Sequence, residues 1–211
     1  IAPTAVLVRW MPVVRDRWVF ALSAETPSPQ IDADNELSAK CDNWLPDWAA
    51  FAQFQWAQGQ HVRLSGVVRT LSYRNLMTER NHNMAGWGVQ ISSVAHPLPC
   101  LTTYINASYG RGYQSLGGDL LIGNYDLVAD QAEPGRLYAP RSYGWNIGLQ
   151  YNFTHGVFAS VTASQTRYCP KGAVPSDVYR RGQFYAVNLF WNMTPRMQIG
   201  AEFDLGCRQN F

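Results

Sequence analysis

The sequence predicts an all-β protein, an antiparallel transmembrane β-barrel. Three observations support this prediction. Segments of about ten residues alternate large apolar side chains with small or polar ones, which is the pattern of strands that bury one face. Only 15% of the residues are charged while 46% are hydrophobic, whereas about 25% are charged in an ordinary soluble domain. The connections between the segments alternate between short and long.

The alternation defines about ten strands, each close to the roughly 9–11 residues with which a tilted strand crosses a bilayer. They are predicted at 3–10, 16–25, 47–56, 61–74, 84–95, 100–112, 142–153, 157–168, 183–192 and 196–206. The stretch YGWNIGLQYNF (143–153) shows the pattern most clearly, because large apolar residues alternate there with Gly, Asn and Gln alone. We expect the whole chain, 1–211, to be a single β-barrel domain because no linker or repeat divides it.

One face of these strands is apolar and rich in aromatic residues. It consists of Trp18, Phe20 and Leu22 in the second strand, Trp48, Phe54 and Trp56 in the third, Trp87, Val89 and Ile91 in the fifth, Leu101, Ile105 and Tyr109 in the sixth, Trp145, Ile147 and Leu149 in the seventh, Tyr185, Val187, Leu189 and Trp191 in the ninth, and Ile199, Phe203 and Leu205 in the tenth. The other face carries Gly, Asn, Gln, Ser, Thr and scattered Arg. It is interrupted by Leu7, Phe51, Val67, Leu71, Phe158, Phe184 and Phe190.

The connections follow a parity rule. Short ones are predicted at 11–15, 57–60, 96–99, 154–156 and 193–195, and long ones at 26–46, 75–83, 113–141 and 169–182. A barrel of the bacterial outer membrane sorts its connections this way, with tight turns on the periplasmic side and long loops outside. Aromatic residues near the strand ends resemble the girdles of such barrels. The pattern therefore predicts an outer-membrane location, with the apolar face toward lipid and the polar face toward water.

Alternation alone does not distinguish this barrel from a soluble β-sandwich or a lipocalin-like barrel, whose apolar face points inward. The polar face favours the membrane barrel because it relies on Asn, Gln, Ser and Thr, where a solvated surface would use Lys and Glu freely. A soluble lipocalin-like carrier remains the alternative at this point.

The parity also sets the direction of each strand. A periplasmic turn at Thr194 and Pro195 makes the last strand run outward, so that Phe211 lies outside, and the first strand then starts outside as well. Outer-membrane barrels usually keep both termini in the periplasm. We therefore expect the chain to be a fragment that lacks N-terminal strands and the closing C-terminal strand of a larger barrel. The rival interpretation is a complete ten-stranded barrel with the opposite parity.

The segment FYAVNLFWNMTPRMQIGAEFDLGCRQNF (184–211) resembles the hairpin near the C-terminus of the DcaP-like trimeric outer-membrane porin family. In that family an N-x-[ST]-P-R turn precedes a strand of the form GAEY…GRR. The matching residues are Asn192, Thr194, Pro195, Arg196, Gly200, Ala201, Glu202, Gly206 and Arg208, while Phe203 replaces the Tyr and Cys207 replaces an Arg. The segments RLSGVVRTLSYRN (63–75) and GWGVQISSV (86–94) are also similar to strands of the family.

The resemblance implies the C-terminal part of a sixteen-stranded barrel that assembles as a homotrimer and passes small, often anionic solutes. Members of the family also carry a final strand that ends in an aromatic residue, and often an N-terminal periplasmic helical segment. Neither is found in this sequence, which agrees with the expectation of a fragment.

Charged rings inside a channel select ions, so the polar face holds the candidate functional residues. We predict that the pore is lined by Arg17, Arg63, Arg69, Gln90, Asn106, Asn146, Gln150, Asn188, Gln198, Glu202 and Asp204. Arg63 and Arg69 share a face because their spacing is even, and a positive lining favours anionic solutes. The alternative is that the arginines pair with acidic residues and only hold the wall together. The long segment 117–144 could fold inward as a constriction, mediate subunit contact or cover the outside.

The remaining signals exclude several classes of function. A net charge of +2 is too small to suggest a nucleic-acid partner. His61, His82, His96 and His155 are far apart and the four cysteines fit no zinc spacing, so no metal and no cofactor is predicted, and the thiols are expected to be free. No nucleophile motif such as G-x-S-x-G is present, which argues against an enzyme. The leading hypothesis is an outer-membrane porin segment for passive diffusion of small hydrophilic solutes, embedded in membrane lipid. A non-conducting barrel that binds or adheres through its loops is the second hypothesis.

Overall fold

Alternating segments of this sequence form long antiparallel strands, each paired with its neighbour along the chain. The computed structural model describes residues 6–33, 36–117, 120, 123–172 and 174–211. The strands are β1 (Leu7–Val14), β2 (Trp18–Glu25), β3 (Ser38–Lys40), β4 (Asp47–Ala57), β5 (Gln60–Asn75), β6 (Arg80–Leu98), β7 (Leu101–Arg111), β8 (Val128–Ala129), β9 (Leu137–Tyr138), β10 (Arg141–Asn152), β11 (Val157–Cys169), β12 (Tyr179–Thr194) and β13 (Met197–Asn210), and a short 3-10 helix lies at Gln114–Leu116.

Ten of these strands form the wall, in the order β1-β2-β4-β5-β6-β7-β10-β11-β12-β13. The small β3 pairs with the far end of β5, and β8 pairs with β9 apart from the wall. Among the described strands, β1 contacts only β2 and β13 contacts only β12, so the sheet is not closed. The all-β antiparallel architecture and the ten wall strands confirm the predicted fold class. Within the described residues, no helix is long and apolar enough to span a membrane.

The first predicted strand is displaced. It was expected at 3–10, but β1 spans Leu7–Val14, and positions 3–5 lie outside the described residues. Pro12 was interpreted as a turn residue, yet it lies inside β1 where the register shifts between Trp10 and Val13. Proline is tolerated at a bulge of an edge strand because no ladder hydrogen bond is needed from it there.

The predicted loop 75–83 is also shorter than expected. Strands β5 and β6 stay paired out to Asn75 and Arg80, which leaves only 76–79 as the connection. The rings of Tyr73 and His82 stack at a centroid distance of 5.2 Å across this extension, and β3 pairs with its other side. The long connections 26–46, 112–140 and 170–178 lie at this same end of the sheet, together with the short turn 76–79, and the remaining short turns lie at the opposite end.

The two faces are sorted as predicted. Directly opposite residues of an antiparallel pair share a face, so the register carries the apolar row from Ile105 to Ile147 and on to Ala163. On that face Ile147 is 44% and Leu149 45% exposed, and no loop covers them. The polar row runs from Asn106 to Asn146 in the same strands. The apolar side chains therefore do not form a packed interior.

The buried core lies instead on the polar face, at the long-loop end. Its members are Ile31 and Ala33 from the second connection, Leu71 and Tyr73 from β5, and Leu127, Leu137 and Ala139 from the segment after β7. Two long connections thus fold back over the polar face and bury apolar residues against it. We call the segment 112–140, in its described parts, the covering loop.

Candidate functional site

Glycines on two neighbouring strands make a shallow floor for the start of the covering loop. A Cβ added at Gly88 would come within 2.8 Å of the Tyr113 ring, and one added at Gly110 would overlap the carbonyl oxygen of Trp87 and lie 2.6 Å from the Cα of Gly88. The Tyr113 hydroxyl lies 3.3 Å from the Ser108 hydroxyl on the same face. The small residues therefore allow the ring of Tyr113 to lie flat against the wall.

A buried ion-pair cluster fastens the covering loop to the wall. The Arg69 guanidinium lies 2.9 Å from a carboxylate oxygen of Asp47 and 3.2 Å from one of Asp126. It also donates to the Ser115 hydroxyl at 2.8 Å. Oδ1 of Asp126 accepts from the main-chain N–H of Ser115 at 2.9 Å. Oδ2, the oxygen that contacts Arg69, accepts from the main-chain N–H of Gln30 at 2.9 Å. One carboxylate thus joins β5 to both long connections.

This arrangement changes the role expected for Arg69. The residue lies on the predicted face, but it is only 2% exposed and two carboxylates surround its charge. It can therefore neither contact a passing solute nor add net positive charge to an aqueous path. The alternative foreseen from the sequence, in which an arginine pairs with acidic residues and holds the wall, describes this position.

The other predicted residues that belong to strands share the polar face. The register aligns Arg63 with Ser92, Asn106 and Asn146, and in the neighbouring rows it places Gln90 opposite Ser108, Gln150 opposite Thr102, Asn188 opposite Glu202 and Gln198 opposite Asn192. Arg17 lies in the turn before β2, where its main-chain carbonyl accepts a hydrogen bond from the main-chain N–H of Gln55. Asp204 lies opposite Ala186. The strand residues of the set therefore lie on one side of the sheet, and their role in lining a pore stays a prediction.

Arg63 and Glu202 show how charged side chains of this face are held. Arg63 in β5 stacks over the Phe51 ring at 4.6 Å and donates two hydrogen bonds to Oε1 of Gln53. Glu202 lies in β13, where Oε2 accepts from Asn188 at 2.9 Å. Both signs of charge occur toward both edges of the wall, because this face also carries Glu25 in β2 and Arg208 in β13.

An open cavity of about 470 Å³ lies between the polar face and the start of the covering loop. Its wall side is rich in hydroxyl and amide groups, and its loop side presents Tyr113, Leu116 and Gly117. The hydrogen-bonding wall residues are Ser23, Ser65, Gln90, Asn106, Ser108, Asn146, Ser164 and Thr166. The neutral groups can exchange hydrogen bonds with water or a polar solute, and Arg9 and Glu25 add one charge of each sign to the lining.

Sequence reasoning missed Asp47, Ser115 and Asp126. The predicted start of β4 included Asp47 but gave it no role, and Asp126 lies in a loop with no periodicity. The described parts of segment 117–144 pack against the polar face, while its roles as a constriction and in subunit contact stay predictions. Among the described residues no group of three or more His, Cys, Asp or Glu could hold a metal ion, and all four cysteines are free.

The twisted wall of polar and apolar faces with an inward loop is the fold of a porin barrel. No protein-family model matches the chain, and no curated protein matches it. The outer membrane channel DcaP of Acinetobacter baumannii is similar in fold, with a TM-score of 0.77 and 16% identity over 97% of this chain. A refined porin structure has a TM-score of 0.50 and 9% identity over 97% of the chain, and the NanC porin has 0.44 and 11% over 95%.

The resemblance to the DcaP-like porins is confirmed as a likeness of fold. The chain spans 57% of the length of DcaP, 60% of the refined porin and 79% of NanC.

Proposed function

We propose that the chain forms part of the wall of an outer-membrane porin, a passive channel for small hydrophilic solutes. The observation that carries this proposal is the cavity on the polar face, bounded by hydroxyl and amide groups on the wall and by the covering loop. Passive conduction depends on the diameter of the pore and on the electrostatic potential inside it, and it requires no covalent chemistry. We therefore propose no catalytic role for any residue.

The wall must close to stand in lipid, because unpaired backbone groups in hydrocarbon cost several kcal/mol each. Neither β1 nor β13 has a second neighbour among the described strands. We therefore propose that additional strands of the same protein complete the barrel between these two edges. The fold shared with DcaP over 57% of that channel supports this proposal.

We further propose that Arg17 and Arg63 give the path its preference for anionic solutes. Arg63 lies on the polar face and has no salt bridge to a described carboxylate, and Arg17 lies in the turn before β2. The amides of the predicted lining would contact solute or water along the same face. Arg69 is left out of this role because its charge is matched by two carboxylates.

Single-channel recording of the full-length protein in planar bilayers tests the function. We expect discrete conductance steps, and a reversal potential in a salt gradient that favours anions. Replacing Arg63 by Gln should shift the reversal potential toward cations because one uncompensated positive charge is removed. A protein that inserts but never conducts would instead support a barrel that binds or adheres through its loops.

The resemblance to trimeric porins also supports a homotrimer. Chemical cross-linking of the protein in native membranes should give a ladder that ends at three subunits. A ladder that ends at one subunit would contradict the trimer and leave the channel proposal intact.

A further inference from the structure

Four arginines lie together where the apolar face meets the long-loop end of the sheet. Arg111 of β7 is directly opposite Arg141 of β10, and Arg167 of β11 is directly opposite Arg181 of β12. Tyr143 lies directly opposite Arg167 and follows Arg141 by two positions in β10. The two arginine pairs therefore lie in adjacent rows of the same face. We call these four residues the arginine cluster.

The cluster is electrically unbalanced. Along the apolar face of the fully described strands β6, β7 and β10–β13, the register places no Asp or Glu. The nearest partner that any cluster side chain contacts is a tyrosine, since Nη1 of Arg167 lies 3.4 Å from the Tyr143 hydroxyl. Nε of Arg111 is buried with no hydrogen-bond partner in the described part of the chain.

Two pairs of opposed arginines destabilise a sheet unless negative charge nearby offsets their repulsion. Like charges directly opposite each other across two strands repel, and this face has two such pairs in succession. Glu202 and Asp204 are no remedy, because they lie on the polar face. The charges therefore call for an anion from outside the chain that can reach several guanidinium groups at once.

The position of the cluster indicates which anion. Below it the face is apolar, and at its own level Trp87 and Tyr109 pack edge to face at 5.7 Å, the kind of aromatic residue that marks the interface of a membrane. Guanidinium groups bind phosphate in a bidentate manner. An anion held here would have its charge level with the arginines and its apolar part against Val89 and Ile147.

We propose that the arginine cluster binds the phosphorylated headgroup of a lipid in the outer leaflet of the membrane. The proposal rests on the outer-membrane placement proposed above, because the long-loop end must face outward. A headgroup with two phosphates matches the two arginine pairs, one phosphate for each pair. The site lies on the opposite side of the wall from the channel and takes no part in conduction.

Lipid binding to the detergent-purified full-length protein tests this inference, with bisphosphorylated lipid A as the probe. We expect native mass spectrometry to show bound lipid A, and lipid A to raise the thermal unfolding midpoint. In the double variant Arg167→Gln/Arg181→Gln, lipid A binding should weaken about tenfold or more, because the charge-assisted hydrogen bonds to one phosphate are lost. Without lipid A this variant should be at least as stable as the wild type, because a repulsive pair is removed.

The matched control is Arg15→Gln/Arg196→Gln, which removes the same charge at exposed positions in turns at the opposite end. It should bind lipid A as the wild type does. Equal binding by all three proteins, or equal loss in both variants, would overturn the site. So would an equal rise of the midpoint with inorganic phosphate or with phosphatidylcholine alone. Conductance is recorded separately, so a protein that binds lipid A without conducting would refute the channel and keep the lipid site.

Discussion

At the scale of single residues, Asp126 is the side chain that secures the covering loop. Its carboxylate meets Arg69, the Ser115 amide and the Gln30 amide, and it is fully buried. Replacing Asp126 by Asn removes the charge while Asp47 keeps part of the pairing. We expect a loss of about 2 kcal/mol in unfolding free energy, below the roughly 3–5 kcal/mol for a buried ion left wholly unpaired. Urea unfolding in vesicles measures this loss.

The same variant should also widen the channel, because the loop is released from the wall. The matched control is Glu133→Gln in the same loop. This change removes the acidic partner of Arg136, and both side chains of that pair are more than half exposed. Exposed pairs contribute little, so stability and conductance should stay at wild-type values. Equal effects of the two variants would show that loop charge in general, and not the buried cluster, holds the loop.

Close packing makes Gly110 a second residue-scale test. A Cβ there would overlap a strand carbonyl and lie 2.8 Å from the Tyr113 ring. We expect Gly110→Ala to cost about 1–3 kcal/mol, as overpacking usually does, and to speed proteolysis of the covering loop. Gly206, on the same face in β13, has nothing within 4 Å of its added Cβ. Gly206→Ala should therefore leave both measurements unchanged, and a loss there as large would contradict the steric explanation.

The arginines show what sequence spacing can and cannot predict. Even spacing alone places Arg63 and Arg69 on one face, and the register agrees. Their fates differ because Arg69 pairs with two carboxylates, one of which, Asp126, lies 57 positions away in an aperiodic loop. No local pattern links Asp126 to Arg69, so the half-buried Arg63 and the buried Arg69 look alike in the sequence.

At the scale of strands and loops, side-chain alternation located all ten wall strands. Some of their ends were predicted wrongly because prolines were taken as turn residues. Pro12 and Pro97 were both assigned to turns, yet both lie within strands where the register shifts. A bulge relieves the missing amide of proline without ending the strand. Sequence alone cannot separate the two cases, because the outcome depends on whether the neighbouring strand continues past the proline.

The two covering connections should act as one unit. Leu127 is fully buried in their shared cluster, its carbonyl accepts from the Asp32 amide at 2.9 Å, and the Asp126 amide donates to Gln30 at 2.9 Å. Leu127→Ala should cost about 2–5 kcal/mol and accelerate amide exchange at Asp32 and Asp126 together. Leu116→Ala, at a 55% exposed position of the same loop, should do neither. Faster exchange at only one of the two amides would contradict the coupling.

At the scale of the whole molecule, alternation defines two faces but not which one meets lipid. The structure favours the apolar face as the one toward lipid in the proposed barrel, because the described parts of the long connections pack on the polar face and the apolar side chains are exposed. That choice depends on contacts between residues far apart in the chain, such as Ile31 and Leu71. The alternation of short and long connections also predicted that the apolar face is turned toward lipid. It could do so from the sequence because it depends on the order of all the strands and not on any single contact.

Neighbouring positions in the middle of β10 give the sharpest test of this orientation. Ile147 lies on the apolar face and Asn146 on the polar face. Ile147→Arg should lower the unfolding free energy in vesicles by about 2–4 kcal/mol, the cost of an arginine facing lipid near the midplane. Asn146→Arg should leave stability close to wild type and change conductance, because water can solvate the new charge. If Asn146→Arg were the more damaging change, the polar face would be the one in contact with lipid, and the assignment of both faces would be reversed.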